Sequence, residues 1–255
     1  MTADLLAAPV ALDEYYELRL YQMIPVRMPD FHRLMGEHVP GLFERNGIAR
    51  PLATWEGHAG PLAPLYAYIV PWRSLDDRMA AWKRFYADPE WQRRLAENYG
   101  GQQRVERSHV FVLRPSAAWN ALKEPDSPEP VGGVHEIRMH DVLNQDPGLA
   151  HAALGETDLP FLTRRGARVL GVFATWFGTR MNQAVTVLAW PDAASLTEAN
   201  MAYQIDAEIL AARDAERRAH GRPLIRATDV HIVKPVGYST ARANLAPIPR
   251  GSAQL

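Results

Sequence analysis

The sequence contains no cysteine. Disulfides, thiolate nucleophiles and cysteine-held metals are excluded, and the composition suits a reducing compartment. Surplus charge is missing too: 28 Lys and Arg stand against 29 Asp and Glu, a formal −1. There is therefore no electrostatic case for nucleic acid or an anionic membrane as partner. No apolar run approaches the roughly 20 residues needed to span a bilayer. Residues 1–14 hold an apolar stretch but no basic start, and carry Asp4 and Asp13, which argues against a secretory signal. No Gly-x-Ser-x-Gly element occurs, and Gly57 to Gly60 runs into prolines rather than a helix, so serine hydrolysis and nucleotide cofactors are disfavoured. These absences leave a soluble, cytoplasmic protein handling a small molecule as the expectation.

What is present is a duplication. Tyr16-Glu17-Leu18-Arg19-Leu20-Tyr21 recurs as His135-Glu136-Ile137-Arg138-Met139-His140. Val39-Pro40-Gly41-Leu42-Phe43, followed by Arg45-Asn46-Gly47, recurs as Leu159-Pro160-Phe161-Leu162, followed by Arg164-Arg165-Gly166. Val110-Phe111-Val112-Leu113-Arg114-Pro115 recurs as Val230-His231-Ile232-Val233-Lys234-Pro235, and the offset stays near about 120 residues throughout. The repeats span 15–115 and 134–235. Residues 116–133, with Pro125, Pro128, Pro130 and Gly132-Gly133, read as a linker. Residues 1–14 are an N-terminal segment, and 236–255, rich in Pro, Gly, Ser and Ala, an extended or disordered C-terminal arm.

Each repeat reads strand, helix, strand, strand, helix, strand: the βαββαβ, ferredoxin-like unit of the α+β class. Pro40 must end or kink the first helix, having no amide to donate. Asp88-Pro89 looks like a helix restart, with Asp88 as N-cap. Such a unit carries both helices on one sheet face and leaves the other face needing a partner. The second copy supplies one, so the expectation is two antiparallel sheets packed as an α+β barrel.

Alternation sorts the faces of each strand. Leu18, Leu20, Ile137 and Met139 are expected under the helices. That leaves Glu17, Arg19 and Tyr21, with Glu136, Arg138 and His140, facing a cavity between the sheets. By the same reasoning Val110, Val112, Val230 and Ile232 pack under the helices, and His109, Phe111, Asp229 and His231 face the cavity. Tyr66 and Tyr68 join them, with Thr186 as the nearest counterpart. Buried Glu and Arg must pair, and Glu17–Arg19 and Glu136–Arg138 sit at i,i+2 on one face. They read as structural ion pairs or as ligand-binding groups. Trp55, Tyr66, Tyr68, Trp72 and Trp176 are either core or the walls of a flat apolar pocket. Arg78 is expected to pair with an acid such as Glu44. Asp229-x-His231, with His109 across the cavity, is the one converging set of oxygen and nitrogen ligands. It suits proton transfer better than a metal, and no metal site is assigned.

In the first copy, Tyr16-Glu17-Leu18-Arg19-Leu20-Tyr21, His38-Val39-Pro40, Glu44-Arg45-Asn46-Gly47, Thr54-Trp55, Gly60-Pro61-Leu62, Trp72, Arg78, Trp82 and Asp88-Pro89-Glu90-Trp91 resemble the NIPSNAP domain of the dimeric α+β barrel superfamily. The second copy keeps Glu136, Arg138, Pro160, Arg165-Gly166, Trp176, Gly178 to Gln183 and Trp190, but lacks the Asp-Pro-Glu-Trp element. The first departs at Asn46, where the family usually has histidine, and at Ala63-Pro64, where it usually has Asn-Gln. The resemblance implies the fold more than an activity. Wider relatives include cofactor-independent monooxygenases, isomerases, polyketide cyclases and haem enzymes. The expectation is then a small-molecule enzyme without metal or nucleotide, acting on an apolar, conjugated or aromatic substrate. His109, Asp229 and His231 would move protons. Arg19 and Arg138 would hold an enolate or carboxylate. Glu17, Tyr21, Trp55, Tyr66, Tyr68, Glu136, His140 and Trp176 would line the pocket. The alternative is a non-catalytic scaffold, or a ligand or haem carrier. Monomer and homodimer are both open, since each repeat could pair within the chain or across a twofold.

Overall fold

The computed structural model describes residues 14–99, 103–125, 127, 129–143 and 146–245, without the side chains of 58, 98 and 99. The expectations for residues 1–13 and 246–255 and for Pro128 fall outside the described residues.

The first repeat runs β1 (Tyr15–Met23), α1 (Met28–Arg33), α2 (Val39–Asn46), β2 (Ala53–Ala59), β3 (Leu65–Trp72), α3 (Leu75–Ala87), α4 (Pro89–Tyr99) and β4 (Val105–Pro115). A short α5 (Ala117–Asn120) follows. The second repeat runs β5 (Val134–Val142), α6 (Pro147–Ala153), α7 (Leu159–Thr163), β6 (Arg168–Phe177), β7 (Gln183–Trp190), α8 (Ala193–Ile205), α9 (Ala207–His220) and β8 (Ile225–Pro235).

Local chemistry explains the boundaries. Ser74 opens α3 by accepting from the Asp77 amide, and Asp192 opens α8 by accepting from that of Ser195. Asp88 caps α4 through the amides of Glu90 and Trp91. Proline acts alike in both repeats. Pro40 and Pro160 follow π turns at Leu34–His38 and Leu154–Asp158. With no amide to offer, each proline is accommodated by widening the preceding turn rather than by ending the helix.

The strands close into a barrel in the order β1-β3-β2-β8-β5-β7-β6-β4. All pairings are antiparallel, and β2 with β8 and β4 with β6 form the seams between repeats. Among the described residues no strand is left with an open edge. This is the expected α+β barrel of two ferredoxin-like repeats.

The registers correct the face assignment. Antiparallel partners share a face, and Leu18 lies opposite Ile69 and Phe111, while Leu20 lies opposite Ala67 and His109. In the second repeat Ile137 lies opposite Val187 and His231. All of these point into the barrel. The expectation therefore holds for His109, Phe111, Asp229 and His231 on β4 and β8. It is inverted for β1, β3 and β5: Glu17, Arg19, Tyr21, Tyr66, Tyr68, Glu136, Arg138 and His140 face the helices, as does Thr186, which pairs with Arg138. The reason is closure. The interior of an eight-stranded barrel is just wide enough for side chains to fill, and it takes the aliphatic residues. The helix layer brings its own donors and acceptors, so it can host the charged ones.

The interior is filled by buried Tyr16, Leu18, Leu20, Trp55, Ile137, Phe173 and their neighbours. The linker contributes to it: buried Trp119 of α5 packs its ring 5.2 Å from that of Phe173, which lies 4.9 Å from that of Tyr16. The described part of the C-terminal arm is packed as well. Ala241, Ala243 and Leu245 are buried, and the Leu245 amide donates to the Leu170 carbonyl.

Candidate functional site

The helix-facing side of each sheet is built around one buried carboxylate. In the first repeat Glu17 accepts from Arg19 Nε (2.6 Å), Arg78 Nε (2.7 Å), Trp72 Nε1 (3.0 Å) and Trp82 Nε1 (2.9 Å). Arg78 thus pairs with Glu17 rather than with Glu44. Burial pushes the Glu17 carboxyl up, but the Arg19 and Arg78 charges and their hydrogen bonds outweigh it and hold it below the ordinary range. Around this centre the layer is aromatic. Phe31, Phe43, Tyr66, Tyr68, Trp82 and Phe85 are all buried there.

The second repeat repeats the centre with fewer large rings. Glu136 accepts from Arg138 Nη2 (2.8 Å), Trp190 Nε1 (2.8 Å) and Asn200 Nδ2 (3.2 Å). The structural ion pair read from sequence is present in both repeats. Strand registers and the shared helix caps align Tyr21 with His140, Tyr68 with Thr186, Trp82 with Asn200 and Phe43 with Thr163. Four rings give way to smaller groups. Of these, His140, Thr186 and Asn200 line a cavity of about 300 Å³ between β5, β7 and β8 and the helices above. A pocket in the first repeat, beside Gly36 and Tyr238, holds about 60 Å³.

The polar groups of the larger cavity come from six elements: β5, the second π turn, β7, α8, α9 and β8. His140 bonds Thr228 Oγ1 through Nδ1 (3.0 Å) and Thr186 Oγ1 through Nε2 (3.1 Å). Burial, then the charges of Arg138, His151 and Arg213, push its pKa down to about 3, so the imidazole is neutral at physiological pH. Asp158, the last residue of the second π turn, is 3% exposed. Its Oδ1 accepts from Tyr203 and Arg213, while its Oδ2 is buried with no partner among the described residues. Burial raises the Asp158 carboxyl above its ordinary value, against the pull of Arg213 and Tyr203. Leu154, Leu159, Leu162 and Ile225 supply the apolar wall.

Of the residues singled out from sequence, Arg138 and His140 line this cavity and Glu136 sits behind them; Thr186, noted as a counterpart, lines it too. Glu17, Arg19, Tyr21, Tyr66 and Tyr68 occupy the filled first-repeat layer. Trp55 is inside the barrel, donating to His135 Nδ1 at 2.9 Å. Trp176 is 43% exposed, under the Arg114 guanidinium. His109, Asp229 and His231 lie on the inward face of β4 and β8, away from the cavity lining. Asp229 pairs with Arg180. His109 Nε2 and His231 Nδ1 are buried without a hydrogen-bond partner among the described residues, and burial lowers the His231 pKa. Sequence reasoning missed Asp158, Asn200, Tyr203, Arg213 and Thr228. The replacement of Trp82 by Asn200 was the available signal.

The fold defines the class, an eight-stranded α+β barrel made of two fused ferredoxin-like repeats. Residues 16–119, which span the first repeat, match the family model named NIPSNAP. No curated protein matches the chain in sequence. Among solved structures, an anthrone oxidase-like protein is 17% identical with a TM-score of 0.57, covering 92% of this chain and 97% of its own. A Lactobacillus acidophilus protein provisionally assigned as a monooxygenase is 10% identical with a TM-score of 0.54, covering 92% and 98%. One from Fusobacterium nucleatum, assigned in the same way, is 8% identical with a TM-score of 0.55, covering 88% and 92%. At these identities the likeness is one of fold. No helix among the described residues is long and apolar enough to cross a membrane.

Proposed function

We propose that the chain is a small-molecule enzyme whose site is the second-repeat cavity, and that it acts by proton abstraction from a conjugated or aromatic substrate. The observation that carries this reading is Asp158. A buried carboxylate with one oxygen unpartnered and a raised pKa, facing an open cavity, is a general base in waiting. Arg138 and Asn200 are placed to stabilise the oxyanion that forms when a carbon acid beside a carbonyl loses its proton. Neutral His140, between two threonine hydroxyls, can relay a proton by taking it at one ring nitrogen as it releases one from the other, which leaves the ring uncharged.

The fold of the monooxygenase-like and anthrone oxidase-like proteins supports one reaction of this type, oxidation of a stabilised carbanion by dioxygen. For anthrone, Asp158 would take the ring-methylene proton and Arg138 would hold the resulting oxyanion. Dioxygen would add to the carbon as a peroxide. Loss of water leaves the quinone, with one oxygen atom retained and the other in water. Dioxygen is the oxidant, so no organic cofactor or metal is required by the balance. A haem carrier has less support, because both ring nitrogens of His140, the histidine lining this cavity, are already bonded.

The test is solvent deuterium exchange into anthrone under nitrogen, followed by oxygen uptake in air, for the wild-type chain and Asp158→Asn. Both rates are expected to fall about a hundredfold or more in the variant. Equal rates in the two proteins would remove Asp158 as the base. No exchange above the buffer rate in the wild type would count against proton abstraction from this substrate.

A further inference from the structure

The two repeats present a filled and an open version of one arrangement. In the first, Arg19 is gripped by Glu17 and its guanidinium lies 3.8 Å over the Trp82 ring. Its Nη1 donates to Tyr21 Oη (2.9 Å) and Tyr86 Oη (3.3 Å), and Tyr21 Oη lies 3.2 Å from Tyr68 Oη. The arginine thus offers a face to a flat π system and an edge to phenol oxygens.

In the second repeat Arg138 is gripped by Glu136 in the same way. Asn200 stands for Trp82, Gln204 for Tyr86, His140 for Tyr21 and Thr186 for Tyr68. Tyr203, which also lines the cavity, turns its hydroxyl to Asp158 instead. The carboxylate-held arginine is kept; the ring over it gives way to Asn200, which accepts from Arg138 Nη2 at 2.7 Å, and the phenols give way to smaller groups that border the cavity.

We infer that the second-repeat cavity takes a planar hydroxylated aromatic molecule, its phenol oxygen accepting from the edge of the Arg138 guanidinium as Tyr21 Oη accepts from Arg19. This rests on the reading of the cavity as the substrate site, and narrows the substrate to a phenol. Charge separates the phenol from a carboxylate. Arg138 is already paired with Glu136, and Arg213 with both Asp158 and Glu216. The walls hold no surplus positive charge for a second carboxylate, whereas a neutral phenol needs none.

The test titrates the full chain with 1-naphthol, naphthalene and 1-naphthoate by calorimetry. One 1-naphthol per chain is expected to bind, about tenfold or more tightly than either of the others. Arg138→Gln is expected to keep naphthalene binding and erase the preference for the phenol. Gln204→Tyr, which hands Arg138 the phenol that Tyr86 gives Arg19, is expected to erase it with the ion pair intact. Thr186→Tyr is expected to block all three compounds at unchanged Tm. Tightest binding of 1-naphthoate, or a naphthol preference that survives both Arg138→Gln and Gln204→Tyr, overturns the phenol assignment. If Thr186→Tyr still blocks binding, the cavity remains the site. Binding untouched by Thr186→Tyr, or no binding of any compound, overturns the cavity reading itself and the inference with it.

Discussion

Thermal unfolding followed from pH 7 down to pH 4.5 is expected to show a steep loss of Tm beginning near pH 6.5. Three histidines are held neutral in the fold. Burial is the first cause in each, pushing His135 to about 4, His140 to about 3 and His151 to about 4. Their folded pKa values lie below the unfolded value of about 6.5. Between those limits the unfolded chain binds protons that the native chain does not, so stability falls as pH falls. Each group contributes about 1.4 kcal/mol per pH unit in that window. His151 is only partly buried and counts for less. His135 and His140 alone then remove roughly 5 kcal/mol over two units, a large share of the 5–15 kcal/mol typical of a domain. Asp158 works the other way, because its raised pKa favours the protonated native state as pH drops. Glu17, with its lowered pKa, adds to the loss only below the ordinary carboxyl range. His140→Gln should flatten the profile between pH 6 and 4.5. A Tm that stays level from pH 7 to 5 would mean that these histidines are charged in the native state.

Glu17→Ala is expected to cost about 3–5 kcal/mol, because it strands buried donors rather than removing a contact. Four side chains converge on that carboxylate, and Arg19 would be left charged at 8% exposure with two indole N–H groups unpaired. At about 2–4 °C per kcal/mol for a chain of this size, Tm should drop by roughly 10 °C. Glu136→Ala should cost less. Glu136 takes three donors, and the cavity beside Arg138 lets water reach the freed guanidinium. Denaturant titration of the two variants measures the difference. Equal losses would mean that the second layer is as dry as the first.

The duplication, the βαββαβ order and the closed barrel were legible in the sequence, because they depend on periodicity and on matched blocks. Pro40 was correctly read as a disturbance, and the π turn is its form. What periodicity could not say was which side of β1, β3 and β5 is inside. Alternation separates Leu18 and Leu20 from Glu17 and Arg19 but carries no label for the two faces. Placing the aliphatic side under the helices is reasonable for an open sheet. It fails when the sheets close into a barrel whose interior is the drier compartment. The register that sets Leu18 opposite Phe111 is what labels the faces, and it is fixed by the strand pairing rather than by alternation.

The site was half legible for a related reason. Glu136, Arg138, His140 and Thr186 sit on strands, where alternation groups them. Asp158, Asn200, Tyr203 and Arg213 come from the helical layer, whose register against the sheet is set by packing. The exchange of Tyr68 for Thr186 and Trp82 for Asn200 was visible once the repeats were aligned. It becomes informative only when both are known to face the same space.

The central claim is that one repeat has been emptied to hold a ligand while the other remains filled by its own rings. A crystal structure of the chain with 1-naphthol bound tests it most directly. The ring is expected in the second-repeat cavity with its oxygen on Arg138 and its edge toward Thr186 and Tyr203, with the first-repeat layer and the barrel interior unchanged. Density for the compound beside Tyr68 and Trp82, or at the barrel end beside His109 and His231, would contradict it.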